Sequence, residues 1–363
     1  MKLSFLGAAF GVSLLSVALA GCSGPSDPTS TDASNGAASG NAATTGAATG
    51  NTATTSTMGA VSGQPFRVAF NQWIGYSGVM LARDKGYFKQ AGLDVEFKEF
   101  AGPADGVPPL ITGQLEAALT TADTPILLSR AGSDTSLQDV YAIDTSNGAD
   151  GIVAGKGITK LSDLRGKTIA ATRGQVNEFL LLKALEMNGL KPDDVTITNM
   201  DADTGGAAVL AGRVPAAVTW EPWLSKAAGA GGSVIFSSKQ VPNLIVDVAA
   251  VSGKVANERP ADVKAFVAAC AKGNAEALAH PEEAAQVAAK YLGAKSGEAK
   301  GMLQKVKLFT AADNVTLMGT TAKPGALAQT SKGIADFFVA QKVLKDPPAQ
   351  SDLFSPQFLP SAT

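Results

Sequence analysis

Three hydropathy regimes follow one another along this chain. Residues 3–20 are almost continuously apolar, residues 23–62 are small and polar, and from Phe66 onward short β-type runs alternate with helical runs. That alternation predicts mostly parallel sheets flanked by helices, an α/β fold class. Strands are expected at residues 66–70 and 95–100, separated by a helix over 77–90. Pro108 and Pro109 suit the first turn of a helix ending at Gly113, where the missing N–H costs nothing. A strand at 117–120, a helix after Pro125 and strands near 140–144 and 151–154 complete the first set.

A second set begins near Leu161. Residues 167–171 read as a strand, and Val176, Phe179, Leu180, Ala184 and Met187 form an apolar stripe at helical spacing that closes at Gly189. Strands at 195–198 and 216–219 flank a short helix at 206–211. After a returning strand at 245–251 the pattern is helical: 261–278, 281–292, 297–307 and 325–344.

The N-terminal regime changes the picture of location. Lys2 and an apolar stretch containing Gly7 and Gly11 lead to Leu19-Ala20-Gly21-Cys22, the layout of a secretory signal. About 20 apolar residues also reach the minimum for a bilayer span, but the small residues directly before a cysteine favour cleavage. The tetrapeptide resembles the lipobox of bacterial lipoproteins. That resemblance implies a signal peptide at 1–21, a palmitate-type lipid anchor on Cys22, and a place on the extracytoplasmic (periplasmic) side of a bacterial membrane. Residues 23–62 contain no aromatic residue and only Met58 and Val61 as larger apolar side chains. They cannot bury enough surface to order themselves, so residues 22–62 are expected to form a flexible tether with an end-to-end distance of roughly 35 Å.

Of the two cysteines, acylation of Cys22 leaves Cys270 unpaired. The remaining chain must then be held by its core, which suits a large body. Cys270 lies in the apolar run 266–270 and reads as a small buried hydrophobe; the competing reading, a catalytic thiol, has the single histidine His280 ten residues away on the same helical pattern. The formal net charge is −2 and no basic stripe interleaves with aromatic residues, so no nucleic-acid partner is expected. Nothing after residue 62 approaches 18 uninterrupted apolar residues; the body is expected to be a soluble monomer.

Several stretches carry a family resemblance. Phe70-Asn71-Gln72-Trp73-Ile74-Gly75-Tyr76, Leu81-Ala82-Arg83-Asp84-Lys85-Gly86-Tyr87-Phe88, Ala91-Gly92-Leu93-Asp94-Val95, Asp150-Gly151-Ile152-Val153-Ala154, the run LSDLRGKT from Leu161 to Thr168, and Thr219-Trp220-Glu221-Pro222-Trp223 resemble solute-binding proteins of ABC importers for nitrate, sulfonates, taurine and thiamine-precursor pyrimidines. The resemblance covers about residues 66–250. It implies a type 2 periplasmic-binding-protein fold, with residues 63–150 plus 248–363 as a discontinuous first lobe, 151–247 as the second, and crossings near Asp150 and Val246. Ligand would sit in the cleft, beneath the C-terminal ends of the strands, and partners would be a small-molecule solute and ABC permease subunits.

Candidate cleft residues follow from the strand ends. Trp73, Trp220 and Trp223 all fall there, offering flat apolar area with one polar handle; Tyr76 shares the turn of Trp73. Asp123, Asp150, Glu221 and Asp247 lie in the same neighbourhoods, and carboxylates beside aromatics favour a cationic group. Helix capping, hinge hydrogen bonding and a solvated turn are their competing roles. Arg173 and the helix start near Gln175 offer an anion seat, weakened by Glu178 in the first turn. Both signs together point to a zwitterion. Asn71, Ser77, Thr121, Thr124, Asn147, Gln175 and Asn199 supply neutral donors and acceptors, and the loop 144–150 joins a strand end, a glycine and the expected hinge.

Enzyme readings lack their parts. Gly166-Lys167-Thr168 is no phosphate loop, because Leu161 stands where its first glycine belongs. One histidine and one free cysteine form neither a metal-ligand cluster nor a nucleophilic triad, so no metal, cofactor or catalysis is expected. Related pyrimidine-forming synthases depend on histidine, and His280 lies in the helical tail. A receptor that presents its ligand to a membrane sensor is the remaining alternative.

Overall fold

The computed structural model describes residues 60–128, 136–320 and 322–360. The expected signal segment, Cys22 and tether residues 23–59 lie outside the described residues. Ser62 is already fastened to the body, its N–H and Oγ donating to Asp262 Oδ1 and Oδ2 at 2.7 and 2.5 Å.

Two sheets organise the chain. The first contains β1 (Phe66–Phe70), β2 (Val95–Glu99), β3 (Ala117–Thr121), β4 (Leu137–Ser146), β10 (Val246–Ser252) and β11 (Val306–Leu308), in the order β11-β4-β10-β3-β1-β2. The second contains β5 (Asp150–Ala154), β6 (Thr168–Ala171), β7 (Thr196–Asn199), β8 (Ala216–Trp220) and β9 (Ser233–Ser237), in the order β7-β6-β8-β5-β9. The chain leaves the first sheet after Ser146, enters the second at Asp150, and returns between Ser237 and Val246.

The sheets are mixed, where the alternation of runs suggests mostly parallel ones. β1 pairs in parallel with β2 and β3, and β6 with β7 and β8, through helical crossovers. β10 runs antiparallel to both β3 and β4, and β5 antiparallel to β8 and β9. The antiparallel strands stand at the two passages: β4 leads to β5 across three residues, and β10 follows the return.

Central strands carry small side chains because helices press on both faces. Every residue of β3, β8 and β10 is buried, and such strands read as continuous apolar runs. Under the first sheet Phe66, Phe88 and Phe266 stack, with centroids 5.1 Å (Phe66–Phe266) and 5.6 Å (Phe88–Phe266) apart. The helix Ser77–Asp84 crosses the helix Pro260–Ala279 at two glycines. A Cβ on Gly78 would lie 2.2 Å from Asn274 Oδ1, and one on Gly273 2.2 Å from the Gly78 carbonyl oxygen.

Several boundaries differ from the sequence expectations. The helix expected over 77–90 breaks at Gly86, whose φ of 71° only glycine adopts freely. The helix expected over 297–307 ends at Leu303 and is followed by β11, where Val306 and Leu308 are buried and Lys307 is not. Three residues of alternation are too few to outweigh a helical pattern; pairing with β4, Val306 opposite Ser146 and Leu308 opposite Asp144, makes them a strand. β9 and the helix Ala311–Met318 have no counterpart in the sequence reading.

Candidate functional site

The turns after β1 and β8 meet the start of β5 and β10 over a small cavity. Asn71, Trp73, Thr121 and Asp247 come from the first sheet and its turns; Asp150 and Trp220 come from the second; Pro103, Val176 and Ile245 close it. Its free volume is ≈ 10 Å³, about what one water molecule needs. A larger hollow of ≈ 570 Å³ at Lys156, Val209 and Arg213 lies at the opposite end of β8 from Trp220 and has no buried carboxylate in its lining. Buried, unpartnered polar groups mark a site better than room does, so the small cavity is the candidate.

Each wall is held from behind. Trp73, 3% exposed, donates its indole N–H to both oxygens of Asp144 at 3.2 Å. Asp144 lies so close to the 74–76 turn that a Cβ on Gly75 would sit 2.2 Å from its Oδ2. Tyr291 donates to the carbonyl oxygen of Trp73 at 2.8 Å. Tyr76 is fully buried and donates to Asp247 Oδ1 at 2.9 Å. On the second sheet, Asp203 accepts the Trp223 indole N–H at 2.7 Å. A carboxylate therefore orients the lining indole of Trp73, and another holds Trp223 three residues beyond the lining residue Trp220.

The connection between the sheets is a knot of hydroxyls. Ser146 Oγ and Ser238 Oγ are 2.7 Å apart, the Gly148 N–H donates to Ser238 Oγ at 2.7 Å, and the Asp150 N–H donates to Ser146 Oγ at 3.1 Å. Gly148 has φ 110°, which few other residues could adopt.

Electrostatics single out the acids. Burial pushes the Asp150 carboxyl up to about 7, opposed by the Ser146 hydrogen bond and reinforced by Glu221 and Asp123. Burial pushes Asp123 up to about 6. Asp144 and Asp247 are raised well above the carboxylate range, by burial first and then by the neighbouring aspartates. Burial and Asp247 likewise raise Tyr76. Asp150 Oδ2, Asp123 Oδ2 and Asn71 Oδ1 are buried without a hydrogen-bond partner, which is costly unless something supplies a donor.

Of the residues singled out from the sequence, Trp73, Asp150, Trp220 and Asp247 line the cavity, and Tyr76 stands behind Asp247. Asp123 and Thr124 are buried at the start of the helix Asp123–Leu128, with Thr124 Oγ1 3.4 Å from the lining residue Thr121. Asn147 is exposed, its backbone N–H bonded to the Lys305 carbonyl. Arg173 is exposed and pairs with Glu178 at 3.2 Å, because its turn faces outward beside β7. Gln175 donates to Asp105 Oδ1 at 3.1 Å, from the second sheet's side to the first's. Glu221 is fully buried and joins Lys305 and Ser225. Trp223 is outside the lining, with Lys226 Nζ 4.6 Å from its ring centroid. The supporting roles of Asp203, Lys305 and Tyr291 have no sequence signal. Asp144 has a faint one, a charge directly after the apolar stretch 140–143 of β4.

Two mixed sheets flanked by helices, joined by two passages and meeting over a polar cavity, define a solute-binding protein of the periplasmic-binding-protein fold. Solved structures agree in fold. The alkanesulfonate-binding protein SsuA of Xanthomonas axonopodis pv. citri, bound to MOPS, aligns at a TM-score of 0.66 with 19% identity over 78% of this chain and 94% of that one. The nitrate-binding protein NrtA of Synechocystis PCC 6803 aligns at 0.65 with 13% identity over 83% and 88%. The chain belongs to the NMT1/THI5 like family, whose model matches residues 73–284. Among its relatives, the taurine-binding periplasmic protein of Escherichia coli K12 is 29% identical over 55% of this chain and 62% of its own length. The riboflavin-binding protein RibY of Chloroflexus aurantiacus is 27% identical over 60% and 63%. A Brucella abortus (strain 2308) protein whose name calls it a binding protein is 26% identical over 80% and 90%.

Proposed function

We propose that the chain captures a small polar solute between two lobes, 63–150 with 248–363 and 151–247, and delivers it to an ABC import permease without transforming it. The observation that carries this reading is the cavity itself, walled by Trp73 and Asp247 on one side and by Trp220 and Asp150 on the other. With ≈ 10 Å³ free it admits no solute as it stands, so entry requires the walls to part, and a ligand touching both walls favours the closed form. Contacts between the two sides hold the closed arrangement: Gln175 with Asp105, Glu221 with Lys305, and Phe179 with Phe337 and Phe338 at 5.1 and 5.3 Å between centroids. The names of the taurine- and sulfonate-binding relatives support a small polar solute. On this reading the chain works on the extracytoplasmic side of the membrane, held by a lipid on Cys22. Neither the thiol of Cys270, buried and raised by desolvation, nor His280, 60% exposed, faces the cavity.

The test is a melting-temperature screen of the full chain against sulfonates, taurine, nitrate, amines and nitrogen heterocycles. A true ligand at 100 times its Kd adds about 2.7 kcal/mol, a clear rise; no shift from any class counts against solute capture. Incorporation of labelled palmitate, expected in the wild type and absent in Cys22→Ser, tests the anchor.

A further inference from the structure

The cavity has a chemical polarity that the family's variety of ligands does not dictate. We infer that the cleft seats a cationic, N–H-donating group of its solute between Asp150 and Asp247, with the flat faces of Trp73 and Trp220 beside it. This deepens the receptor reading and rests on it.

Three observations carry the assignment. First, the lining contributes two carboxylates and no lysine or arginine. Second, two buried acceptors there lack any donor: Asp150 Oδ2 and Asn71 Oδ1, in residues 4% and 3% exposed. Third, the acid count continues behind the lining, with Asp144 on β4 and Asp123 at the start of its helix, both buried. The groups facing these acids from neighbouring elements are Tyr76, Tyr291 and Glu221, none of them cationic at neutral pH. Lys305, which reaches Glu221, is committed to that carboxylate. Arg173, which the sequence offers as an anion seat, is exposed and paired with Glu178.

An anion placed there would be buried in a low dielectric with no cation in the lining to offset its desolvation. A cation reverses both terms, and tryptophan faces attract it further. With the cleft empty, burial keeps these carboxyls protonated, as the raised values of Asp150 and Asp247 indicate. Arrival of a cation then ionises a carboxyl, and the proton leaves to solvent.

The experiment is isothermal titration of the full-length chain at pH 6.5 with propylammonium, propylguanidinium and 4-aminopyridinium, against propanesulfonate, nitrate, propionamide and pyrimidine as anionic and neutral probes. At least one cation is expected to bind at least tenfold more tightly than every anion and neutral probe. Its heat should vary with the ionisation enthalpy of the buffer as a released proton requires, and Asp150→Asn should weaken it at least tenfold. Buffer dependence is read on the wild type, so it stands even where the variant fails to fold. An anion or neutral probe binding as tightly as the best cation, or a cation indifferent to both buffer and Asp150→Asn, overturns the charge assignment and leaves the receptor reading in place. Silence from every probe overturns both.

Discussion

Trp73 and Asp144, 71 positions apart, meet at the centre of the first sheet's edge of the cleft: the indole N–H donates to both carboxylate oxygens at 3.2 Å. The bond fixes which face of the indole the cavity sees. Asp144→Leu leaves a buried N–H without an acceptor, a cost of about 1–3 kcal/mol, whereas Asp144→Asn retains one. Ligand affinity should therefore fall at least tenfold in Asp144→Leu and recover substantially in Asp144→Asn, with tryptophan emission shifting to the red only in the former. Equal losses in the two would show that the bond to Trp73 is not what Asp144 supplies.

Stability should depend on pH in an unusual direction. Asp123 and Asp150 have folded-state values of about 6 and about 7 against 3.8 for the free side chain. The native state holds more protons than the unfolded state between these limits, so stability falls as pH rises across that window. The contribution is complete below about pH 4 and lost once pH has passed about 7; for Asp123 alone it is at most about 3 kcal/mol. Asp262 and Asp313 are lowered and lose their contribution at still lower pH. Chemical denaturation of the empty protein should show it more stable at pH 5 than at pH 8, with Asp150→Asn flattening the slope. A flat or rising profile would mean that these carboxyls are solvated.

Glu221, fully buried after β8, accepts from Lys305, which precedes β11. Removing the lysine strands a buried charge. Lys305→Met should cost about 1–3 kcal/mol, less than a fully enclosed pair because Lys305 keeps 39% of its side chain exposed. Part of that loss should appear as a larger radius of gyration in solution scattering, from lobes that part. The double variant Lys305→Met with Glu221→Gln should restore most of the stability; a double variant as weak as the single would remove the pair from the closure account.

Gly78→Ala tests the helix crossing. Its Cβ would meet Asn274 Oδ1 at 2.2 Å and the Asn274 Cα at 2.8 Å, and backbone cannot step aside as a side chain can. The expected loss is at the upper end of the 1–3 kcal/mol typical of overpacking, read as a lower melting temperature. Gly297→Ala, with open space around its Cβ position, is the matched control and should not lower it.

Much of the fold is written in local pattern. Phe66 to Phe70, the positions Val176, Phe179, Leu180 and Ala184 on the helix Val176–Met187 and the small buried residues of β8 announce themselves by period and composition, because burial on one or both faces selects side chains residue by residue; Met187, the last position of the expected stripe, is exposed. The clustering of Trp73, Trp220, Asp150 and Asp247 at strand ends is equally legible, since strand ends are where such folds leave backbone open. Partnership is not. β11 is a strand only because β4 lies beside it, and Lys305, Asp203 and Tyr291 matter through residues 84, 20 and 218 positions away. Arg173 and Asp150 look alike from sequence, one charge each at a turn. The fold turns one outward against Glu178 and seals the other in the cavity, because burial is a property of the whole packed chain and not of the local sequence.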